Sequence, residues 1–415
     1  MQLTSATDAP QSTARGRPVR WRAVDHPLVP GIIALLGWLA FVLARWQSWA
    51  RGNIARFVLL GTTYSHARHL PAGMVIGDPH AKGYDGQFYY RLAINPVNWH
   101  HTAYGITMDE SYRYTRIGYP LLAWLGSFGQ HQAVPVALVA VNLLCVAAMA
   151  VLGGMLAQQA GRHALWGLAF AAYFGLVISV GRDTAEPLAE ACMLGGLLAY
   201  RQGRWILAAV VFAYGGLTRE TILIAPAAIA VTRLICFALA RARPSRVDLA
   251  WVVPGVAQVA IQVVARLVLR GQGVPLNVDR ARNLATPFSA MTDALRFESA
   301  RIDTCHLGLY DIPLLEYATL AVLVVAGFAV IYVTRARGHE RLAFVLAVLV
   351  VCAMSSQIWA STFGDGRSMI EPYLFALILL LDTPKRYLNA YRLAAIVAWA
   401  APALCVVARR RILYM

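Results

Sequence analysis

AVPVALVAVNLLCVAAMAVLGGMLA, residues 133–157, places a single polar side chain, Asn142, in a run of otherwise apolar and small residues. As a helix rising about 1.5 Å per residue the run would be about 37 Å long, more than the roughly 30 Å hydrocarbon core of a bilayer. A segment apolar on every side belongs in a protein core or in lipid, and this length selects lipid. Working outward from it, further apolar runs recur at about 28–46, 164–181, 187–200, 205–217, 221–240, 248–270, 313–334, 342–360, 370–382 and 388–408. Together they predict an all-α, polytopic transmembrane helical bundle of about eleven spans, within a range of about 10–13. With 59% hydrophobic and 14% charged residues and a mean hydropathy of +0.54, the 415-residue chain has no room for a large soluble domain. An outer-membrane barrel is excluded because its strands would alternate in polarity.

The formal net charge is +16, from 37 basic against 21 acidic residues, and only Lys82 and Lys385 are lysine. The arginines form short clusters between apolar runs, which fits topology and anionic headgroups rather than a basic groove, so nucleic acid is not an expected partner. Residues 1–27 are polar, with Arg15, Arg17, Arg20 and Arg22 ahead of the first run; Arg45 and Trp46 follow it where a cleavage site would need small residues. The expectation is a basic cytoplasmic segment over 1–27, an uncleaved first span, and a single transmembrane domain over 28–415 in the inner (plasma) membrane. From that start the loops at 162–163, 201–204, 241–246, 335–341 and 385–386 fall in the cytoplasm, nearly all short and basic. The three arginines at 409–411 would end outside, so either the last pair of spans is miscounted or one run is re-entrant. The runs at 187–200, 205–217 and 370–382 are short for a full crossing, which fits broken or tilted helices.

The same topology puts two long loops, about 47–116 and 271–312, on the extracytoplasmic side, together with the charged turns Arg182–Glu186, Arg219–Glu220 and Asp365–Glu371. A charge at the bilayer centre costs roughly 2.5–3.5 kcal/mol on insertion scales, so charges at span ends are placed there or kept for function. The first loop carries Trp46, Trp49, Tyr64, Tyr84, Tyr89, Tyr90, Trp99 and Tyr104 and is expected to lie on the interface as amphipathic helices. Its histidines, His66, His69, His80, His100 and His101, match no zinc spacing, and neither a Walker motif nor a dinucleotide fingerprint is present; no metal or other cofactor is expected. Five of the six cysteines fall within apolar runs, leaving Cys305 in a loop and no disulfide framework.

Several segments carry residues suited to chemistry. In GYDGQFYYRLAINP, residues 83–96, Asp85 begins an amphipathic stretch, where partial desolvation would make its carboxylate more basic than in water. The plain alternative is an Asp-Gly turn. Asp78 and the Asp109-Glu110 pair in the same loop are alternative working carboxylates. In SYRYTRIGYPLLAW, residues 111–124, Arg113 and Arg116 either hold a lipid phosphate or snorkel to the interface. In RDTAEP, residues 182–187, Asp183 and Glu186 nearly form a capping box, leaving Arg182 for phosphate. In GLTRETILIAP, residues 216–226, Arg219 and Glu220 interrupt apolar sequence, with Thr218 able to cap. In FGDGRSMIEPYLF, residues 363–375, Asp365, Arg367 and Glu371 precede a helix with Pro372 in its first turn; Glu371 reads as structural and Arg367 as a phosphate ligand.

An acidic residue in a long first outer loop (Asp85 in GYDGQFYY), the LTRET turn at 217–221 and the GRSMIEP stretch at 366–372, set on an odd-numbered polytopic bundle, resemble the GT-C type glycosyltransferases. The similarity covers most of the chain as architecture and about forty residues as motifs. It implies inverting transfer of a hexosyl or pentosyl group, on the extracytoplasmic side, from a polyprenyl-phosphate sugar to a cell-envelope glycan or lipid. It implies Asp85 as general base, Arg116, Arg182, Arg219 and Arg367 as holders of the donor phosphate, and Tyr84, Gln87, Tyr89 and Glu220 as substrate contacts. The chain departs from many relatives in lacking an adjacent acidic pair at Asp85, which leaves the base open between Asp85 and the pair Asp109 and Glu110. The competing classes are a secondary transporter or lipid flippase and a non-catalytic scaffold. Charges gathered at one face and the absence of an inverted repeat in the sequence weigh against transport.

Overall fold

The structure is a computed structural model that describes residues 24–78, 82–272, 283–299, 311–359 and 365–387. The expectations for residues 1–23, His80, Cys305, the final apolar run and the arginines at 409–411 lie outside the described residues.

Helix α1 (Leu28–Ser48) leads into the first long loop. That loop holds a short parallel strand pair, β1 (Leu60–Gly61) with β2 (Ile76–Asp78), then helix α2 (Gly86–Ile94) and an antiparallel pair, β3 (Thr102–Ala103) with β4 (Ile106–Thr107). It ends on the short α3 (Tyr112–Thr115) and α4 (Gly118–Gly126). The bundle continues with α5 (Val134–Gln159), α6 (Gly167–Ala171), α7 (Gly175–Gly181), α8 (Glu186–Arg201), α9 (Trp205–Thr218), α10 (Ile224–Ala238) and α11 (Leu249–Leu269). After α12 (Ser289–Ser299) in the second loop come α13 (Asp311–Val330), α14 (Gly338–Cys352), α15 (Ser356–Trp359) and α16 (Ile370–Leu381).

The fold is helical, and each apolar run within the described residues falls on a helix or a helix pair. Among the described residues four helical segments, Leu28–Ser48, His131–Gln159, Glu220–Ala238 and Arg246–Leu269, are long and apolar enough to cross a membrane. A fifth is reached if the segments Ala164–Ala171 and Gly175–Gly181, bent by 68° at their break, count as one span. Trp205–Thr218 and Tyr317–Val330 are shorter apolar segments, so the expected count of eleven exceeds the four to five that length and composition support among the described residues. Outward faces are apolar: Ile32, Leu36 and Leu43 on α1 and Val256, Val259 and Leu267 on α11 are exposed. In water such faces would be unstable; in lipid they are matched. By contrast α16 is buried along its whole length, as a helix apolar on every side should be.

Ionic groups gather at two opposite ends of the buried helices. At the C-terminal end of α8, Arg201 forks onto Glu340 (Nε to Oε1 2.6 Å, Nη2 to Oε2 2.8 Å) and also donates to Asp382 Oδ2 at 2.6 Å, just past α16. Arg337 donates to Arg201 O at 2.9 Å and Arg162 to Thr383 O at 2.6 Å. The loops at 162–163, 201–204 and 335–341, which the sequence assigns to one face, therefore meet. The N-terminal ends of α8 and α16 meet the first long loop at the other end. The 16 residues of α8 separate the two ionic layers by about 24 Å.

The first loop corrects one expectation. Helix α2 does not lie on an interface; all nine of its residues are buried. Its amphipathic pattern arises because its polar groups are satisfied inside the protein: Arg91 donates to Asn98 O and His100 O and stacks over Tyr114. Helix α12 does carry a surface pattern, with Ala290 and Ala294 buried and Thr292, Asp293 and Arg296 exposed.

Candidate active site

Asp85 stands immediately before α2 with its backbone already helical, and its side chain makes no capping bond. The carboxylate turns instead to two guanidinium groups, accepting at Oδ1 from Arg113 Nη1 (2.9 Å) and at Oδ2 from Arg367 Nη2 (2.5 Å). Arg113 also forks onto Asp109 (Nε to Oδ1 2.5 Å, Nη2 to Oδ2 2.9 Å). Arg367 and Arg219 both donate from Nη1 to the same oxygen, Glu186 Oε1, at 3.0 Å each. Glu186 Oε2 accepts from Thr184 Oγ1 and from Ser179 Oγ (3.3 Å). Beside this network Arg116 forks onto Glu220 (Nε to Oε2 2.9 Å, Nη2 to Oε1 2.5 Å).

The bonds overturn several readings. Burial alone would raise the Asp85 carboxyl, but Arg113 and then Arg367 hold it well below the usual carboxylate range, so it is less basic than in water, not more. Asp85-Gly86 is not a bare turn. Asp183 and Glu186 do not cap α8: Glu186 serves the arginines, and Asp183, at φ +50° and fully buried, accepts no hydrogen bond among the described residues. Burial pushes the Asp183 carboxyl well up, against the pull of Arg45. Thr218 does not cap either; its hydroxyl bonds back to Tyr214 O at 2.9 Å. Arg219 and Glu220 are adjacent in sequence yet pair with different partners.

The other candidates are distributed as follows. Arg182 stacks over Trp49 at 4.6 Å. Tyr84 lies under the Arg367 guanidinium at 4.8 Å. Tyr89 is buried edge-on against Tyr119. Gln87 ties the loop together, donating to Lys82 O at 2.8 Å and accepting from Ser65 Oγ at 3.1 Å. The side chains of Asp78 and Asp365 are outside the described residues. Among the described residues no group of three or more His, Cys, Asp or Glu side chains is placed to share a metal ion.

Asp85 also lines a cavity of about 350 Å³, together with Asp109, Glu110, the rings of Tyr64, Tyr84 and Tyr112, Lys82 and Asn283 of the second loop. It thus stands in the wall between a polar, aromatic-lined space and the arginines. Two of those arginines keep an unused donor: Arg219 Nε and Arg367 Nε are buried without a hydrogen-bond partner among the described residues. An orphaned buried donor of a charged group costs more than about 1–3 kcal/mol, and an anion within reach of either would satisfy it.

Two glycines let the segments approach this closely. A Cβ on Gly86 would stand 2.4 Å from Arg182 O and 2.9 Å from Val58 O, and one on Gly175 would stand 2.6 Å from Arg367 N and from Gly366 O. Gly86→Ala is therefore expected to push α2 away from the turn at 182, destabilising the protein by about 1–3 kcal/mol and loosening the Asp85–Arg367 contact. Thermal melting and activity of the purified variant check this; an unchanged melting temperature would mean the approach relaxes at no cost.

Sequence reasoning missed one buried acid and gave another a structural role. Glu190, one turn beyond Glu186 on α8, is fully buried with neither carboxylate oxygen hydrogen-bonded among the described residues, and Glu371 Oε1 is likewise without a partner. The available signal was a lone acid inside the apolar run 187–200. No family model, no curated protein and no solved structure matches this chain.

Proposed function

We propose that the chain is an integral plasma-membrane glycosyltransferase of the GT-C type, moving a sugar with inversion from a polyprenyl-phosphate donor to a cell-envelope glycan or lipid. In this reading the bundle has about eleven spans, counting the shorter helices as tilted or broken crossings, and the Asp85 end faces the extracytoplasmic side. The observation that carries it is the position of Asp85 between an aromatic-lined polar cavity and Arg367, which shares Glu186 with Arg219; each of these two arginines keeps a buried donor with no partner among the described residues. The acceptor hydroxyl enters from the cavity and its oxygen attacks the anomeric carbon. Its proton passes to Asp85, and the bond from the anomeric carbon to the phosphate oxygen breaks, the electron pair leaving with polyprenyl phosphate. Arg219 and Arg367 stabilise the charge that develops on that phosphate, each such contact being worth about 10²–10³ in rate. The lipid tail lies in the bilayer beside the bundle. Asp109, the alternative base, is held on both oxygens by a two-bond fork from one arginine, whereas each Asp85 oxygen accepts a single bond from a different arginine.

A second reading, transport, is favoured by one observation: among the described residues buried Glu190 accepts no hydrogen bond and buried Glu371 has Oε1 unpartnered, and ionisable groups within a bundle often mark a substrate or proton path. The purified protein in proteoliposomes with polyprenyl-phosphate sugars and an envelope-lipid extract separates the two. Transfer yields a glycosylated product and polyprenyl phosphate in equal amounts, followed by mass spectrometry. Solute accumulation that is lost in Glu190→Gln, with no glycosylated product, would replace the transferase reading by transport.

A further inference from the structure

Arg113, Arg116, Arg219 and Arg367 face Asp85, Asp109, Glu186 and Glu220, so the network is charge-balanced within itself. None of these four guanidinium groups is free of a carboxylate. A phosphate group that binds one of them therefore shares or takes a guanidinium that a carboxylate already holds, and the bonds differ in how easily they yield. Glu186 is held by Arg219, Ser179 and Thr184 as well as by Arg367. Glu220 and Asp109 are each held by a two-bond fork. Asp85 meets Arg367 through one Nη2 to Oδ2 bond and keeps Arg113 when that bond opens. The same guanidinium carries the buried Nε–H that has no partner among the described residues.

On the transferase reading given above, we propose that the lipid phosphate competes with Asp85 for Arg367, so that the Asp85 carboxylate is unclamped only when the donor is seated. Arg367 is then a positioning residue that couples donor binding to the base. Before the donor arrives Asp85 is tied to two guanidinium groups and is too weak a base to draw a proton from an acceptor. Once the phosphate holds Arg367, the remaining Arg113 is largely balanced by Asp109, and the carboxylate regains basicity. Binding is ordered, donor before acceptor, which protects the site from unproductive proton abstraction.

The test is equilibrium binding of farnesyl phosphate to the full-length protein in nanodiscs, with farnesol and inorganic phosphate as parallel arms. Removing the competitor in Asp85→Asn is expected to tighten farnesyl phosphate about tenfold and to leave farnesol unchanged. The gain should vanish in the Arg367→Gln background, whereas a purely architectural role for Arg367 would weaken binding equally with and without Asp85. Asp85→Ser repeats the comparison if Asp85→Asn melts at the assay temperature. The same tightening with inorganic phosphate would support the competition and assign it to free phosphate rather than to the lipid. Asp85→Asn binding farnesyl phosphate no tighter than wild type, or tightening equally without Arg367, would overturn the coupling. That result is distinguishable from failure of the transferase reading, which would show as wild type binding farnesyl phosphate no better than farnesol.

Discussion

Asp85→Asn is expected to leave the protein folded and inserted while lowering transfer by about 10²–10⁴, the usual contribution of a general base. The substitution keeps shape and one carbonyl-type acceptor. Arg113 retains its fork on Asp109 and Arg367 retains Glu186, so neither guanidinium is left without a carboxylate. The effect should therefore appear in turnover far more than in melting temperature. Tighter donor binding alongside lost turnover would be the joint signature of a base that is clamped at rest, because one carboxylate would then both oppose the donor and serve the reaction. Wild-type turnover in purified Asp85→Asn would remove Asp85 from the chemistry. A collapse in Glu110→Gln would then move the base to Glu110, another carboxylate lining the cavity of about 350 Å³.

The helices were legible in the sequence because lipid burial imposes long apolar runs, and composition within a run is a local property. The convergence of the charged turns was legible too, since alternating spans send every second turn to the same end: residues 182–186, 219–220 and 365–371 come together as that alternation requires. What could not be read was pairing. Arg367 and Asp85 are 282 positions apart, and whether Asp85 is more or less basic than in water depends on which guanidinium groups reach it. Desolvation was visible from the apolar surroundings; the opposing charges were not. Helix α2 was misplaced for a related reason, because a polar stripe looks the same whether water or buried carbonyls satisfy it. Glu186 illustrates the limit most clearly. An Asp-x-x-Glu pattern ahead of a proline-started helix has the composition of a cap, yet the carboxylate is drawn off by arginines from two distant turns.

Arg201→Ala should have the opposite profile from Asp85→Asn: a loss of about 3–5 kcal/mol of stability, seen as a large fall in melting temperature, with turnover per folded molecule unchanged. Arg201 neutralises Glu340, whose side chain is completely buried, and Asp382, and it is the only cation bonded to either among the described residues. Its removal leaves two carboxylates in a low-dielectric interior, and the penalty is that of uncompensated charge rather than of lost attraction. If that is the cause, the neutral set Arg201→Met, Glu340→Gln and Asp382→Asn should recover most of the stability. The side-chain amide introduced by Glu340→Gln would still accept the Arg337 backbone N–H that Glu340 now accepts at 2.9 Å. A cation needed for the reaction would not be rescued in that way. The two ionic layers lie at opposite ends of α8, so a variant at Arg201 that lowered turnover without lowering stability would mean the ends are mechanically coupled through the helix, and that the roughly 24 Å between them does not isolate the chemistry.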